Sequence, residues 1–369
     1  MSETLGLYPN VIIGNDIKRL CFTLLDSNIH RILYISPEEY TLSGNTITFD
    51  FDRNLHKEDI SSLIAARLAY RLIKKPERII DNNLHRSTVT SDVSFNQALS
   101  KLLTITFVLD KISTLPALHY PYVEGQYYYF TNDILGVEYI KTVLLRIPYA
   151  KRIRLLSRDI LHSEVLTAKE LDGYDLEIII GQDYYLSHIN DFSTFQKKLK
   201  LIVYIDDIGR FDATKFIPVL NNISVSFFFK IRNKEELLLF EQHNYQAVAF
   251  PSPDVSPEML HSILDYSIND LLQRTTTKSE LFIKQAINPF FYGNILVNND
   301  GSINSYPPNG YKIDDITQFR GVTKHLKNNR YWYIRRPDFF ERCRECALVD
   351  LCPPLSNYEI NIRQTFCVA

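Results

Sequence analysis

The chain is poor in the residues that build phosphate cradles. It has 12 glycines in 369 residues, no Walker A motif and no GxGxxG, which argues against a glycine-cradled nucleotide site. Its nine histidines are scattered, with no HExxH and no close pair, so each reads as structural or surface rather than as a metal ligand. No apolar run is long enough to cross a bilayer; LEIIIG and SVSFFF are of strand length. The opening residues MSETLGLYPN lack the basic-then-apolar order of a secretory signal, so a cytoplasmic location is expected. A formal net charge of −2 provides no global field to draw the chain to nucleic acid or to a membrane surface.

What is present is the composition of a globular protein, 45% hydrophobic and 23% charged, long enough for two or three domains. Twenty-three tyrosines and 22 phenylalanines favour strand-rich, well-packed structure. Residues 8–52 read as short strands, YPNVIIGN, RLCFTLLDS, HRILYIS and NTITFDFD, separated by turn residues. A helix is expected over 57–74, where Ile60, Leu63, Ile64, Leu68, Leu72 and Ile73 recur at helical spacing before Pro76. Residues 1–80 therefore form a small α+β unit.

A different rhythm occupies residues 81–287. Strand-like runs (QYYYFTND, KRIRLLSRD, YDLEIIIGQD, LKLIVYIDD, residues 224–231 and AVAFPSPD) alternate with helical segments such as GVEYIKTVLLRI and KEELLLFEQH. That alternation predicts an α/β region with a parallel sheet, an open or partial βα barrel of about six units, followed by a helical stretch over 258–287. Several of these strands end near a carboxylate: Asp133, Asp159, Asp183, Asp206 with Asp207, and Asp254. Such positions suit helix N-caps and are also where βα folds place their sites. Residues 288–369 then open on a hairpin signal around Asn299, Asp300 and Gly301, with a helical patch at 314–328.

Cysteine carries the strongest chemical signal. Four of five lie at the end of the chain, as Cys343-x2-Cys346-x5-Cys352-x14-Cys367. In a chain without a secretory signal this clustering favours metal over disulfides. Four thiolates suit tetrahedral Zn or an iron–sulfur cluster, and spacing alone leaves both open. Arg342 and Arg344 add positive charge beside the first ligands. Cys21, inside a strand-like run, reads as a core residue.

The stretches FYGNILVNNDGSINSYPPNGYKIDDI and YWYIRRPDFFERCRECALVDLCPPLSNYEINIRQTFC resemble the SPASM domain that follows the barrel of radical S-adenosylmethionine enzymes. More narrowly, they resemble the pseudo-radical-SAM/SPASM proteins of bacterial peptide-maturation systems. The resemblance covers about 80 residues. It implies a degenerate radical-SAM-like barrel with a cysteine-rich SPASM-like domain at 288–369. It also implies one auxiliary [4Fe–4S] cluster on Cys343, Cys346, Cys352 and Cys367. A second auxiliary cluster would need hairpin cysteines and a cysteine where Ser356 stands. The CxxxCxxC motif that cleaves S-adenosylmethionine is missing, since only Cys21 precedes residue 343.

The resemblance thus implies an accessory protein in the maturation of ribosomally synthesised peptides. It would act with a precursor peptide and a partner radical enzyme, without radical activity of its own. The alternatives are a partner of an ATP-grasp peptide ligase, or a non-radical enzyme using the strand-end carboxylates and a structural Zn. The N-terminal unit loosely resembles leader-binding domains, with HRILYIS as an edge strand for the leader. On that view a chain lacking residues 1–80 loses the leader and keeps its metal.

Overall fold

The computed structural model describes residues 2–50, 56–72, 102–109, 137–146, 150–157, 160, 166, 169–193, 198–212, 222–242, 247–252, 255–297, 303–304, 312–313 and 330–368. The expected strand QYYYFTND, the turn at Asn299, Asp300 and Gly301, the helical patch at 314–328, and Asp133, Asp159 and Asp254 lie outside the described residues.

Alternating apolar residues near the N-terminus build two small sheets around one core. Strands β1 (Ser2–Leu7), β5 (Tyr40–Ser43), β6 (Thr46–Asp50) and β7 (Ala69–Arg71) pair in the order β5-β6-β1-β7. Strands β2 (Val11–Asn15), β3 (Arg19–Leu24) and β4 (His30–Tyr34) form an antiparallel sheet with β4 at its edge. Leu5, Leu20, Phe22, Ile47 and Phe49 pack between them with Ile60 and Leu63 of the helix.

That helix spans His56–Ala65 and stops short of the expected 74. Arg67 takes a left-handed φ of 57°, and Leu68 N–H returns to the Leu63 carbonyl at 2.9 Å. This is a Schellman-type stop made without glycine. Apolar periodicity continues past it because Leu68 and Ala69 are buried in the same core from a turn and from β7, which pairs with β1.

The middle of the chain is a mixed α/β unit on a sheet of nine strands among the described residues. Seven are parallel, in the order β13-β12-β11-β10-β9-β8-β15: β8 (Thr104–Val108), β9 (Arg152–Leu156), β10 (Asp175–Gly181), β11 (Leu199–Ile205), β12 (Ile223–Ile231), β13 (Ala247–Pro251) and β15 (Asn294–Val297). β14, a short strand at Tyr266–Ser267, stands outside this sheet. β16 (Ile303–Asn304) and β17 (Lys312–Ile313) continue the sheet antiparallel from β15, so the expected hairpin is built onto the sheet edge.

From β8 to β13 each new strand adds on the same side of the last. With right-handed crossovers this puts the connecting helices on one face. Ile140, Val143, Tyr185 and Phe192 from those helices pack on Ile153, Ile178, Leu201 and Phe229. The opposite face carries Leu156, Ile179, Ile202, Tyr204 and Phe228. It also carries a charged row: Glu177 receives the buried Arg154 guanidinium, with Arg152 at 3.5 Å and Lys200 at 3.6 Å.

The stretch at 258–287 is not one helix. It divides into Pro257–Leu264, Ile268–Leu272 and Lys278–Ala286, the second and third opened by capping boxes at Ser267 and Thr277. The break at Asp265 lets β14 lie flat, which proves decisive for the last cysteine.

Candidate metal centre

Residues 340–352 form a run of tight turns. Main-chain bonds join Cys343 to Phe340 (3.0 Å), Arg344 to Glu341 (3.0 Å), Val349 to Cys346 (3.3 Å) and Cys352 to Val349 (3.2 Å). Such three-residue closures keep the chain compact enough to return successive cysteines to one side. Ala347, Leu348 and Leu351 are buried and pin the run against Cys21 and Leu271.

The fourth cysteine comes back by way of a helix, Asn357–Ile362. Ser356 caps it with a reciprocal Glu359 contact, so the serine at the missing second-cluster position has a structural role. Arg363 turns left-handed at φ 54°, and β18 (Cys367–Val368) pairs in parallel with β14, Tyr266 opposite Cys367. Tyr358 ties this helix to the end of β13 through a 2.7 Å bond to the Pro251 carbonyl.

All four tail cysteines line one open cleft of about 650 Å³. Its other wall is the N-terminal unit: Asp16, Ile17, Lys18, Arg19 and Tyr34 line the same cleft. Asp16 fixes Arg19 there by a 2.7 Å ion pair and accepts the main-chain N–H groups of Lys18 and Arg19. The approach is close enough that a Cβ on Gly14 would sit 1.8 Å from the Ala347 carbonyl oxygen. The N-terminal unit therefore packs on the cysteine segment and helps to build the cleft.

The thiols differ in acidity. Burial pushes Cys343 up to about 11, against the pull of Arg336 and Arg342. Burial also raises Cys346, with Arg19 opposing it. Cys352 is raised by hydrogen bonding to Cys367 and by burial, while the same bond lowers Cys367. Cys21 lies behind the site in the apolar layer under Cys352, its thiol pushed up to about 11 by burial.

Three contributors carry no sequence signal. Arg336 is buried and bonds both oxygens of Glu359, one at 2.8 Å. Arg19 reaches the site from more than 300 residues away in sequence. Tyr266 has a buried hydroxyl with no hydrogen-bond partner among the described residues. Of the two arginines singled out by sequence, Arg342 bonds the Cys367 carbonyl at 2.6 Å, whereas Arg344 bonds the Pro337 carbonyl.

Among the described residues, no three His, Cys, Asp or Glu side chains converge on a point that would hold a single metal ion. A tetrahedral Zn site needs sulfurs about 3.8 Å apart, from a Zn–S bond of about 2.3 Å. The four thiols line one cleft with Arg19 and Arg342, and Cys352 and Cys367 lie within hydrogen-bond reach of each other. Among the described residues the strand-end carboxylates form no comparable site. Asp206 is paired with Lys230 at 3.2 Å and Arg232 at 2.9 Å, Asp207 caps a short turn through Gly209 N–H, and Asp183 is exposed in the first turn of a helix.

No protein-family model matches the chain, and neither a curated protein nor a solved structure matches it. Among the described residues no helix is long and apolar enough to cross a membrane.

Proposed function

We propose that this chain is an accessory protein of ribosomal-peptide maturation. It holds one auxiliary [4Fe–4S] cluster on Cys343, Cys346, Cys352 and Cys367, and acts with a precursor peptide and a partner enzyme. The observation that carries the reading is the single cleft shared by those four cysteines. Two further features support it. The one-directional strand order from β8 to β13 is the winding from which partial βα barrels are made. The cysteine tail, with its preceding hairpin, docks at that sheet. A four-thiolate cluster supplies one-electron transfer. Arg19, Arg336 and Arg342 would offset its negative charge, and the apolar layer of Leu348, Leu351 and Leu271 would keep water from its inner side.

The peptide would add to β4. Leu24 N–H bonds the Ile29 carbonyl and Ile35 N–H the Lys18 carbonyl, so the intervening His30, Ile32 and Tyr34 turn their main-chain groups to the free edge. Tyr34 is 74% exposed and lines the cysteine cleft. A strand laid on that edge would run to the cluster.

Anaerobic purification tests the centre. The expected protein is brown with about four irons per chain, and Cys346→Ala loses them. Stoichiometric zinc without iron would replace the cluster by a zinc site, and metal retained after loss of all four tail cysteines would sink both. Under strong reductant the loaded protein should form no 5′-deoxyadenosine from S-adenosylmethionine; robust turnover would overturn the accessory role. Tyr34→Pro removes one edge N–H at an exposed position. It should lower affinity for the precursor peptide about tenfold, the worth of about one hydrogen bond, and iron analysis of the same sample checks that the cleft, which Tyr34 also lines, is intact. Equal affinity moves the peptide site elsewhere.

A further inference from the structure

We propose that Tyr266 is a positioning and tuning residue of the metal centre. Its hydroxyl donates a hydrogen bond to the Cys352 thiolate of the loaded site and makes that centre easier to reduce. This rests on the reading of the four cysteines as cluster ligands.

The case begins with an unmet donor. The Tyr266 hydroxyl is buried and unpaired among the described residues, and a buried hydroxyl left so is costly. Phenylalanine would fill the same space without that cost, so the hydroxyl calls for an acceptor. The nearby protein groups cannot serve. Arg336 stands over the ring at 5.8 Å and has only donors to offer. Glu359 is occupied by Arg336 and Ser356.

What remains is sulfur. Tyr266 packs on the apolar cluster that contains Cys352, and its main chain is paired in register with Cys367. Its N–H bonds the Phe366 carbonyl at 3.0 Å, which fixes the residue against the last ligand. A thiol is a weak acceptor, whereas a metal-bound thiolate carries charge and accepts well. Tyr266 already acts on Cys352 as a donor that favours its thiolate, and a metal-bound thiolate would accept that bond more strongly.

Reduction adds one electron to the cluster, supplied here by dithionite, and Tyr266 keeps its proton throughout. The added negative charge strengthens the hydrogen bond, so the reduced state gains more than the oxidised state and the potential rises. Arg336 and Tyr266 line a second cavity of about 550 Å³, and Tyr266 feels the charge of both Cys352 and Cys367.

The experiment compares full-length wild type with Tyr266→Phe, both purified anaerobically, by iron analysis and an EPR-monitored redox titration. The expected result is unchanged iron and a tenfold shift of the one-electron equilibrium against reduction, a fall of about 59 mV. Equal potentials in two fully loaded proteins overturn the proposal. Wild type without iron overturns the cluster reading beneath it. Should the variant not retain iron, pulsed EPR of the reduced wild type in H₂O and D₂O decides. An exchangeable proton coupled to the cluster supports the tyrosine donor, and its absence overturns it.

Discussion

At the scale of single residues, Gly14 shows how closely two distant parts of the chain meet. Its φ is not in the left-handed region, so the need for glycine is one of space: a Cβ would fall on the Ala347 carbonyl oxygen, one residue after Cys346. Backbone cannot step aside as a side chain can. Gly14→Ala is therefore expected to cost about 1–3 kcal/mol by overpacking and to loosen metal retention. Gly6→Ala is the control, since the atoms nearest its added Cβ belong to the Tyr70 side chain, which is partly exposed and can swing away. Urea denaturation and iron analysis of the two variants check this. An equal, small effect at both positions would remove the argument that the Gly14 contact holds the cleft together.

At the scale of elements, the central sheet carries a charge layer on one face. Burial alone would raise the Glu177 carboxyl, but Arg154, Arg152 and Lys200 outweigh it and hold the group below the ordinary 4.5. A carboxylate held lower in the folded chain than in the unfolded one stabilises the fold above its unfolded value. That stabilisation is lost as pH falls through the folded value. Protonation would remove the Glu177 charge from its ion pair with the buried Arg154, and breaking a buried pair costs about 3–5 kcal/mol. Stability of the wild type should therefore fall more steeply below pH 4.5 than that of Glu177→Gln, which is weaker at neutral pH. Thermal or urea midpoints measured from pH 7 to pH 3 check the slope. Parallel profiles would show that the layer is energetically silent.

At the scale of the whole molecule, the N-terminal unit is part of the four-cysteine cleft. Cys21 and Ile32 pack with Cys352, Leu348 and Leu351, while Arg19 and Tyr34 wall the cleft. Asp26 N–H bonds the Thr276 carbonyl, and His30 bonds the Arg274 carbonyl, joining the unit to the segment just before Lys278–Ala286. The expectation that a chain lacking residues 1–80 keeps its metal is thereby revised. Removal of residues 1–72 should expose the apolar layer under Cys352, remove the cation nearest Cys346 and release the metal. Iron per chain in the truncated and full-length proteins checks it, and equal content would return the unit to the status of a separable module.

What the sequence determined by itself was local. Strand-length apolar runs alternating with helical segments located β9 to β13 and the helices Val137–Arg146 and Lys234–Gln242, because burial of an element imprints on neighbouring residues. β8, with all five residues buried, and the end of the first helix at Ala65 were less legible. A buried turn keeps the apolar period of the helix before it. The four tail cysteines stood out because ligand spacing is a short-range property. Everything that gives those cysteines their surroundings was decided by tertiary structure. Arg19, Tyr34, Gly14 and Tyr266 belong to the site only because two sheets and a two-residue parallel bridge carry them across hundreds of positions in sequence. Packing chooses such partners by shape and charge, and one-dimensional order holds no record of that choice.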